Sequence, residues 1–155
     1  MRKTVTKEDI ERRFNEYNQL YFDGELGKCR LSCQNMIDFG AYYYNAKKKD
    51  KAKSQIMIAR NVNWTDTALR DTIIHEMIHM YVRTVRGKRI DGLLGHGWAF
   101  RRECRRIKRN FGITITIHGF EIEDGSRNLQ KCKAKYQRFR KEIVCWYENV
   151  SCTEK

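Results

Sequence analysis

His75, Glu76 and His79 lie in the segment His75-Glu76-Met77-Ile78-His79, an HExxH pattern inside an apolar run. Histidines four apart on a helix leave the same face about one turn apart, so both rings can reach a single cation. Neutral imidazole nitrogen is a common zinc ligand, and a glutamate directly after the first histidine projects beside such a metal. There Glu76 can take a proton from water held by the ion, which is the opening step of a hydrolysis. A catalytic zinc usually keeps three protein ligands and leaves its fourth position open. The chain has four histidines, at 75, 79, 96 and 118, so the third ligand is expected from His96, His118 or a carboxylate. His96 sits in Leu94-Gly95-His96-Gly97-Trp98, where flanking glycines allow backbone to pack close to a neighbouring helix. His118 follows an alternating segment and precedes Gly119-Phe120; it reads as a strand-end histidine facing solvent.

HExxH also occurs in ordinary amphipathic helices. Here Ile73, Ile74, Met77 and Ile78 surround the pattern, which predicts a buried helix. Histidine and glutamate buried without partners would be costly, so a bound cation is the better account.

The elements that must position these residues can be read from periodicity and punctuation. Thr6 is a hydroxyl cap ahead of Glu8 and Asp9, and Ile10, Phe14, Tyr17 and Tyr21 recur at helical spacing until Asp23-Gly24. Strands are expected from Arg30 to Cys33, Gly40 to Tyr44 and Ser54 to Ala59. Between the last two, Lys47 to Lys53 reads as a solvated hairpin turn. Thr65 or Asp66 caps the helix that carries the two histidines, with Leu69, Ile73, Ile74, Ile78, Tyr81 and Val82 as its apolar positions. That helix frays into Arg86 to Arg89, and a glycine-bearing loop, 90–95, leads into the next helix. The second helix runs from His96 or Gly97 to Asn110, with Phe111-Gly112 as its stop. Ile113 to Ile117 alternates with period two and predicts a half-buried strand, and Ile143 to Tyr147 predicts another at the end of a basic tail.

At 155 residues and 41% hydrophobic content, the chain is sized for one domain with a real core. Lysine and arginine number 32 against 19 acidic residues, a net charge of +13. Such a charge predicts attraction to polyanions such as nucleic acid, although a soluble surface rich in lysine would give the same count. Met1 to Lys7 has no apolar stretch behind its charges and does not read as a secretory signal; no segment has the apolar length to span a bilayer. A cytoplasmic protein with reduced thiols is therefore expected. The six cysteines stand at 29, 33, 104, 132, 145 and 152, and none of their spacings assembles a second zinc site.

The chain resembles the SprT-like (Spartan-type) zinc metalloprotease domain family. The resemblance rests on Asn18, on Tyr21-Phe22-Asp23-Gly24-Glu25-Leu26, on Gly40-Ala41 and on the strand Ile56-Met57-Ile58. It rests above all on His75-Glu76-Met77-Ile78-His79 followed by Gly95-His96-Gly97-Trp98-Ala99-Phe100. Together these span roughly residues 6 to 112. The resemblance implies a compact α+β, zincin-like fold, with helices on a small, mostly antiparallel sheet and HExxH on a central helix. It further implies one zinc ion held by His75, His79 and His96, Glu76 as catalytic base, and proteolysis of proteins bound or crosslinked to DNA, for which a nucleoid-associated place in the cytoplasm would serve. A single domain is expected, with its core over about 6–118 and residues 119–155 as a basic tail or hairpin. That tail lacks the paired cysteines of the zinc ribbon found in many relatives, since Cys132, Cys145 and Cys152 stand singly.

The expected activity is zinc-dependent hydrolysis of a protein or peptide chain, bound extended along an exposed strand edge. Ser54 to Ala59, directly before the histidine helix, is the candidate edge. Tyr42, Tyr43, Tyr44 and Arg83 are candidates to stabilise the developing oxyanion. For DNA contact the candidates are Arg101, Arg102, Arg105, Arg106, Lys108 and Arg109 on the second helix. Lys131, Lys133, Lys135, Arg138, Arg140 and Lys141 in the tail join them, interleaved with Tyr136 and Phe139. Two other classes stay open. One is a nucleic-acid-binding module whose zinc is structural or vestigial, against which Glu76 argues. The other is a zinc amidase acting on a small molecule in a closed pocket.

Overall fold

A computed structural model of the chain describes residues 4–36, 38–46, 52–88, 91–92 and 95–116. Three helices and three strands follow in the order α1 (Lys7–Phe22), β1 (Cys29–Gln34), β2 (Gly40–Tyr44), β3 (Ser54–Ala59), α2 (Asp66–Thr84) and α3 (Trp98–Phe111). The fold is α+β, as expected.

Local chemistry sets the ends of each element. The Thr6 hydroxyl accepts from the Asp9 amide at the start of α1, and Asp23, in the left-handed region at φ 53, ends it. Asn18 then pins the turn that follows: its side-chain amide donates to the Leu26 carbonyl at 3.0 Å and its oxygen accepts from the Leu26 amide at 3.1 Å. The Thr65 hydroxyl caps α2 by accepting from the Ala68 amide. Just before it, the buried Trp64 indole donates to the Ala59 carbonyl at 2.7 Å, which fixes how β3 hands over to α2.

The sheet is mixed, in the order β1-β3-β2. β3 pairs parallel with β1 and antiparallel with β2, and the Asn45 amide donates to the Lys53 carbonyl where the hairpin closes. Of the expected lysine turn, Lys47 to Lys53, residues 47–51 lie outside the described residues. This order overturns one expectation: Ser54 to Ala59 is the central strand and not an edge. Its backbone is engaged on both sides, so nothing further can pair with it. The physical reason is its composition, since Ile56, Ile58 and Ala59 are all fully buried, as suits a strand covered by neighbours.

α2 is the hub of the molecule, packing against α1, α3, β2 and β3. Ile73, Ile74, Met77 and Ile78 meet Ile10, Phe14 and Phe22 of α1, Ile56 and Ile58 of β3, and Phe100 and Ile107 of α3 in one core. Burying a side chain of this size stabilises the fold by roughly 1.5–3 kcal/mol, so the apolar run around the histidines anchors the whole domain. Ile113 and Ile115 are buried while Thr114 and Thr116 are exposed, so the period-two alternation persists. No strand forms over residues 112–116, however, since no ladder engages them among the described residues. The expected strand at Ile143 to Tyr147 and the basic tail lie outside the described residues.

Candidate metal centre

α2 carries His75 and His79 one turn apart, and the loop before α3 brings His96 to them. The three Nε2 atoms form a near-equilateral triangle: 3.2 Å between His75 and His79, 3.1 Å between His79 and His96, and 2.9 Å between His96 and His75. Three nitrogens with one lone pair or one proton each cannot all satisfy one another when they converge on a point. Ligand nitrogens on tetrahedral zinc, at Zn–N of about 2.0–2.1 Å, stand about 3.3 Å apart, close to this spacing. The His75, His79 and His96 group could hold a metal ion, and it is compatible with zinc.

The surroundings of His75 and His79 favour the forms that can bind a metal. His75 Nδ1 lies 3.1 Å from the Thr116 carbonyl. A proton on Nδ1 donates to that oxygen and leaves Nε2 with its lone pair directed to the centre. Burial, and then the other imidazoles, push His75 down to about 4 and His79 down to about 2, so both are neutral at physiological pH. Beneath them Phe100, fully buried, packs its ring 4.5–4.8 Å from all three imidazoles. Phe100 thus places one apolar ring against every imidazole of the centre.

His96 is placed by its neighbours. Gly95 has φ +73, and a Cβ there would stand 3.2 Å from His79 Cε1, so only glycine lets the loop pass the ring at this distance. Asp91 then ties the loop to α3. Its backbone oxygen accepts from the Gly97 amide at 2.7 Å, and its carboxylate accepts from the Ala99 and Phe100 amides at 3.0 and 2.5 Å. Gly97, the N-cap of α3, offers no side chain for those amides, so Asp91 does this from six residues upstream. Arg101 adds a guanidinium bond to the His96 carbonyl at 3.1 Å.

Glu76 is buried, and its carboxyl is pushed up to about 8, first by burial and then by Asp38. β2 runs directly against it: a Cβ on Gly40 would lie 2.8 Å from Glu76 Oε1 and 3.0 Å from its Cγ. The bare position at 40 is therefore what admits the carboxylate between α2 and β2.

A model of the SprT-like family matches residues 10–119, most of the chain and every residue of this centre. The chain belongs to the SprT-like family. Its members carry a metalloprotease-like domain. Among curated proteins no match to this SprT-like chain was found.

Sequence reasoning reached His75, Glu76, His79 and His96, and the structure brings the three imidazoles together. It did not reach Asp91 or Thr116. Asp91 carries a weak signal, an aspartate ahead of a helix that lacks its own cap; Thr116 acts through its backbone carbonyl, which no residue type reveals. His118 lies outside the described residues. Of the oxyanion candidates, the Tyr42 hydroxyl is 3.1 Å from Ser54 Oγ, and Arg83 lies over the Tyr44 ring at 4.5 Å. No described contact brings these residues or Tyr43 to the imidazoles.

The basic helix divides. Arg101, Arg102, Arg105, Lys108 and Arg109 are exposed, but Arg106 is turned inward. Its guanidinium binds Glu103 at 2.6 Å and the Tyr21 carbonyl at 2.8 Å, and lies over Phe22 and Tyr81. It cross-links α3 to α1 and, with Arg86, pairs Glu103, which is buried at 1% exposure and requires a cation. Lys131, Lys133, Lys135, Arg138, Arg140 and Lys141 lie outside the described residues, as do Cys132, Cys145 and Cys152. Cys29, Cys33 and Cys104 are half-buried free thiols. Burial pushes Cys29 up to about 12 and Cys104 up to about 11, so both keep their protons and pack as small apolar groups. No helix among the described residues is long and apolar enough to cross a membrane.

Proposed function

We propose that the protein is a zinc-dependent endopeptidase. The observation that carries this reading is the triangle of three Nε2 atoms, 2.9–3.2 Å on a side, with Glu76 directly after the first of them. When bound, zinc supplies Lewis acidity toward a peptide carbonyl and makes water a nucleophile near neutral pH. His75, His79 and His96 would hold the ion through their Nε2 atoms. Glu76 takes the proton of the attacking water and returns it to the leaving amine. A cation of two positive charges beside Glu76 favours its carboxylate, so the group is a base only when the centre is loaded.

The substrate strand pairs with β2. β2 has its ladder on β3 alone among the described strands, and its Gly40 end touches Glu76. An extended peptide added along this edge would bring its carbonyls past the base. An open strand edge favours a protein chain over the small substrate of a closed-pocket amidase. Protein substrates held on DNA form the second part of the proposal, supported by the net charge of +13 and by Arg101 and Lys108, exposed on α3. Stimulation of cleavage by DNA that declines steeply with added salt supports this part; insensitivity to salt removes it.

Glu76→Gln tests the mechanism. Hydrolysis of an unfolded protein substrate should drop by about 10²–10⁴-fold while zinc content stays at one per chain. Full activity in that variant would end the reading. So would full activity in the native chain after complete removal of zinc.

A further inference from the structure

On the outer side of α3, away from the imidazoles, a cleft of about 350 Å³ is lined by Arg86, Arg102, Glu103, Arg105, Arg106 and Arg109. Five guanidiniums face one carboxylate. Both oxygens of that carboxylate are already committed, Oε1 to Arg86 at 3.2 Å and Oε2 to Arg106 at 2.6 Å. Glu103 thus forms the closed inner end of the cleft with two of the arginines. It leaves Arg102, Arg105 and Arg109 without a carboxylate partner among the described residues.

Those three recur at spacings of three and four, so they stack along one face of α3, where like charges at this spacing repel. Arg102 is further held over the Trp98 ring, 5.3 Å from its centroid. Guanidinium forks match phosphoryl oxygens two at a time, and several forks around one concavity favour a single anion of high charge. The volume is that of a small-molecule site. No aliphatic or aromatic residue stands among those that line it. A strand of nucleic acid needs an open track, whereas this cleft closes on Glu103.

We propose that this cleft binds a compact oligophosphate, an anion of two or three linked phosphoryl groups. Its occupant would bridge Arg86, just beyond the helix of His75 and His79, to the helix that follows His96. The proposal stands on the cleft alone and is independent of the hydrolase reading.

Calorimetric titration of the full chain with inorganic tripolyphosphate, at fixed excess monovalent salt, tests it against the Arg105→Glu, Arg109→Glu double variant. Both sites are exposed, and withdrawal of metal by the phosphates is common to both proteins and cancels. Native protein should bind one tripolyphosphate, and the variant should bind it at least about tenfold more weakly. The milder Arg105→Gln, Arg109→Gln pair should fall between them, and it replaces the reversal should that variant not fold. A nucleoside triphosphate in a second titration separates the sources. Equal affinity assigns the site to any phosphoryl chain, and tighter binding adds a base contact; both agree with the proposal. Equal tripolyphosphate affinity in native and variant proteins overturns it. Binding of a single-stranded oligonucleotide with none of tripolyphosphate also overturns it, and makes the face a track for a strand.

Discussion

Glu76 and the histidines divide the proton traffic of the centre between them. Burial holds His75 and His79 neutral, with affinities for protons of about 4 and about 2, while Glu76 is raised to about 8. At pH 6 the metal-free centre therefore carries its proton on Glu76 and none on these two rings. Loading zinc at pH 6 should release about one proton, because the cation favours the carboxylate. Zinc titrations in buffers of different ionisation enthalpy measure this release, and it should vanish in Glu76→Gln. A second residue-scale prediction concerns Gly40. In Gly40→Ala the new methyl would stand 2.8 Å from Glu76 Oε1, so the carboxylate must shift. Activity should fall by about 10²-fold, the effect of a misplacement near 1 Å, with zinc affinity unchanged. Equal loss of zinc would show that the strand supports the imidazoles instead.

At the scale of elements, the centre depends on α2 and the start of α3 keeping a fixed relation, and Asp91 is the joint. It satisfies the Gly97, Ala99 and Phe100 amides that the helix cannot satisfy from its own glycine cap. Asp91→Ala removes the two carboxylate bonds. Loss of a helix cap costs about 0.5–2 kcal/mol. Because His96 is anchored by the same loop, zinc affinity should fall together with thermal stability. Asp91→Asn retains an acceptor and should recover part of both. The contrast with Arg101 is informative, since it meets only the His96 carbonyl, at 3.1 Å, from an exposed position; its removal should disturb the loop less.

At the scale of the whole molecule, a metal held by these imidazoles would be coupled to the fold, because they project from the helix that packs on the two other described helices and on two strands. Zinc that binds only the folded chain raises its melting temperature in proportion to the logarithm of free zinc, and a chelator should remove this gain. The metal-free chain should also show a characteristic pH dependence from His75, His79 and Glu76. Below pH 6.5 the unfolded chain gains protons that the buried rings refuse, so stability falls as pH drops toward 4. Above the ordinary glutamate value of 4.5, the folded chain keeps a proton on Glu76 that the unfolded chain gives up. Stability from that group is therefore lost as pH rises toward 8. Together they place the maximum near pH 6.5; Glu76→Gln should remove the decline on the alkaline side and steepen the fall on the acid side, where Glu76 offsets part of the histidine effect. Thermal melts of both proteins across this range provide the check.

The sequence by itself determined most of the helix and strand spans, Ile113 to Ile117 apart, and the residue types that make up the candidate metal centre. Ser54 to Ala59 and Gly40 to Tyr44 emerge with the expected bounds, because β-branched and aromatic runs and turn residues act locally. HExxH spacing converts directly into one helix face, so His75 and His79 needed no tertiary information. What only the tertiary structure decided is which strand lies at the edge, where His96 ends up, and which arginines face solvent. Ser54 to Ala59 looked like an edge from its place next to α2, but strand order is a long-range pairing that leaves no local mark. Arg106 and Arg105 are indistinguishable as letters, yet one is drawn inward by a glutamate buried in the core. Thr116 serves through a carbonyl shared by every residue type, and Asp91 through a loop whose closure depends on glycines packed against a ring. Composition and period act over a few residues, whereas these choices come from segments far apart in the chain competing for one interior.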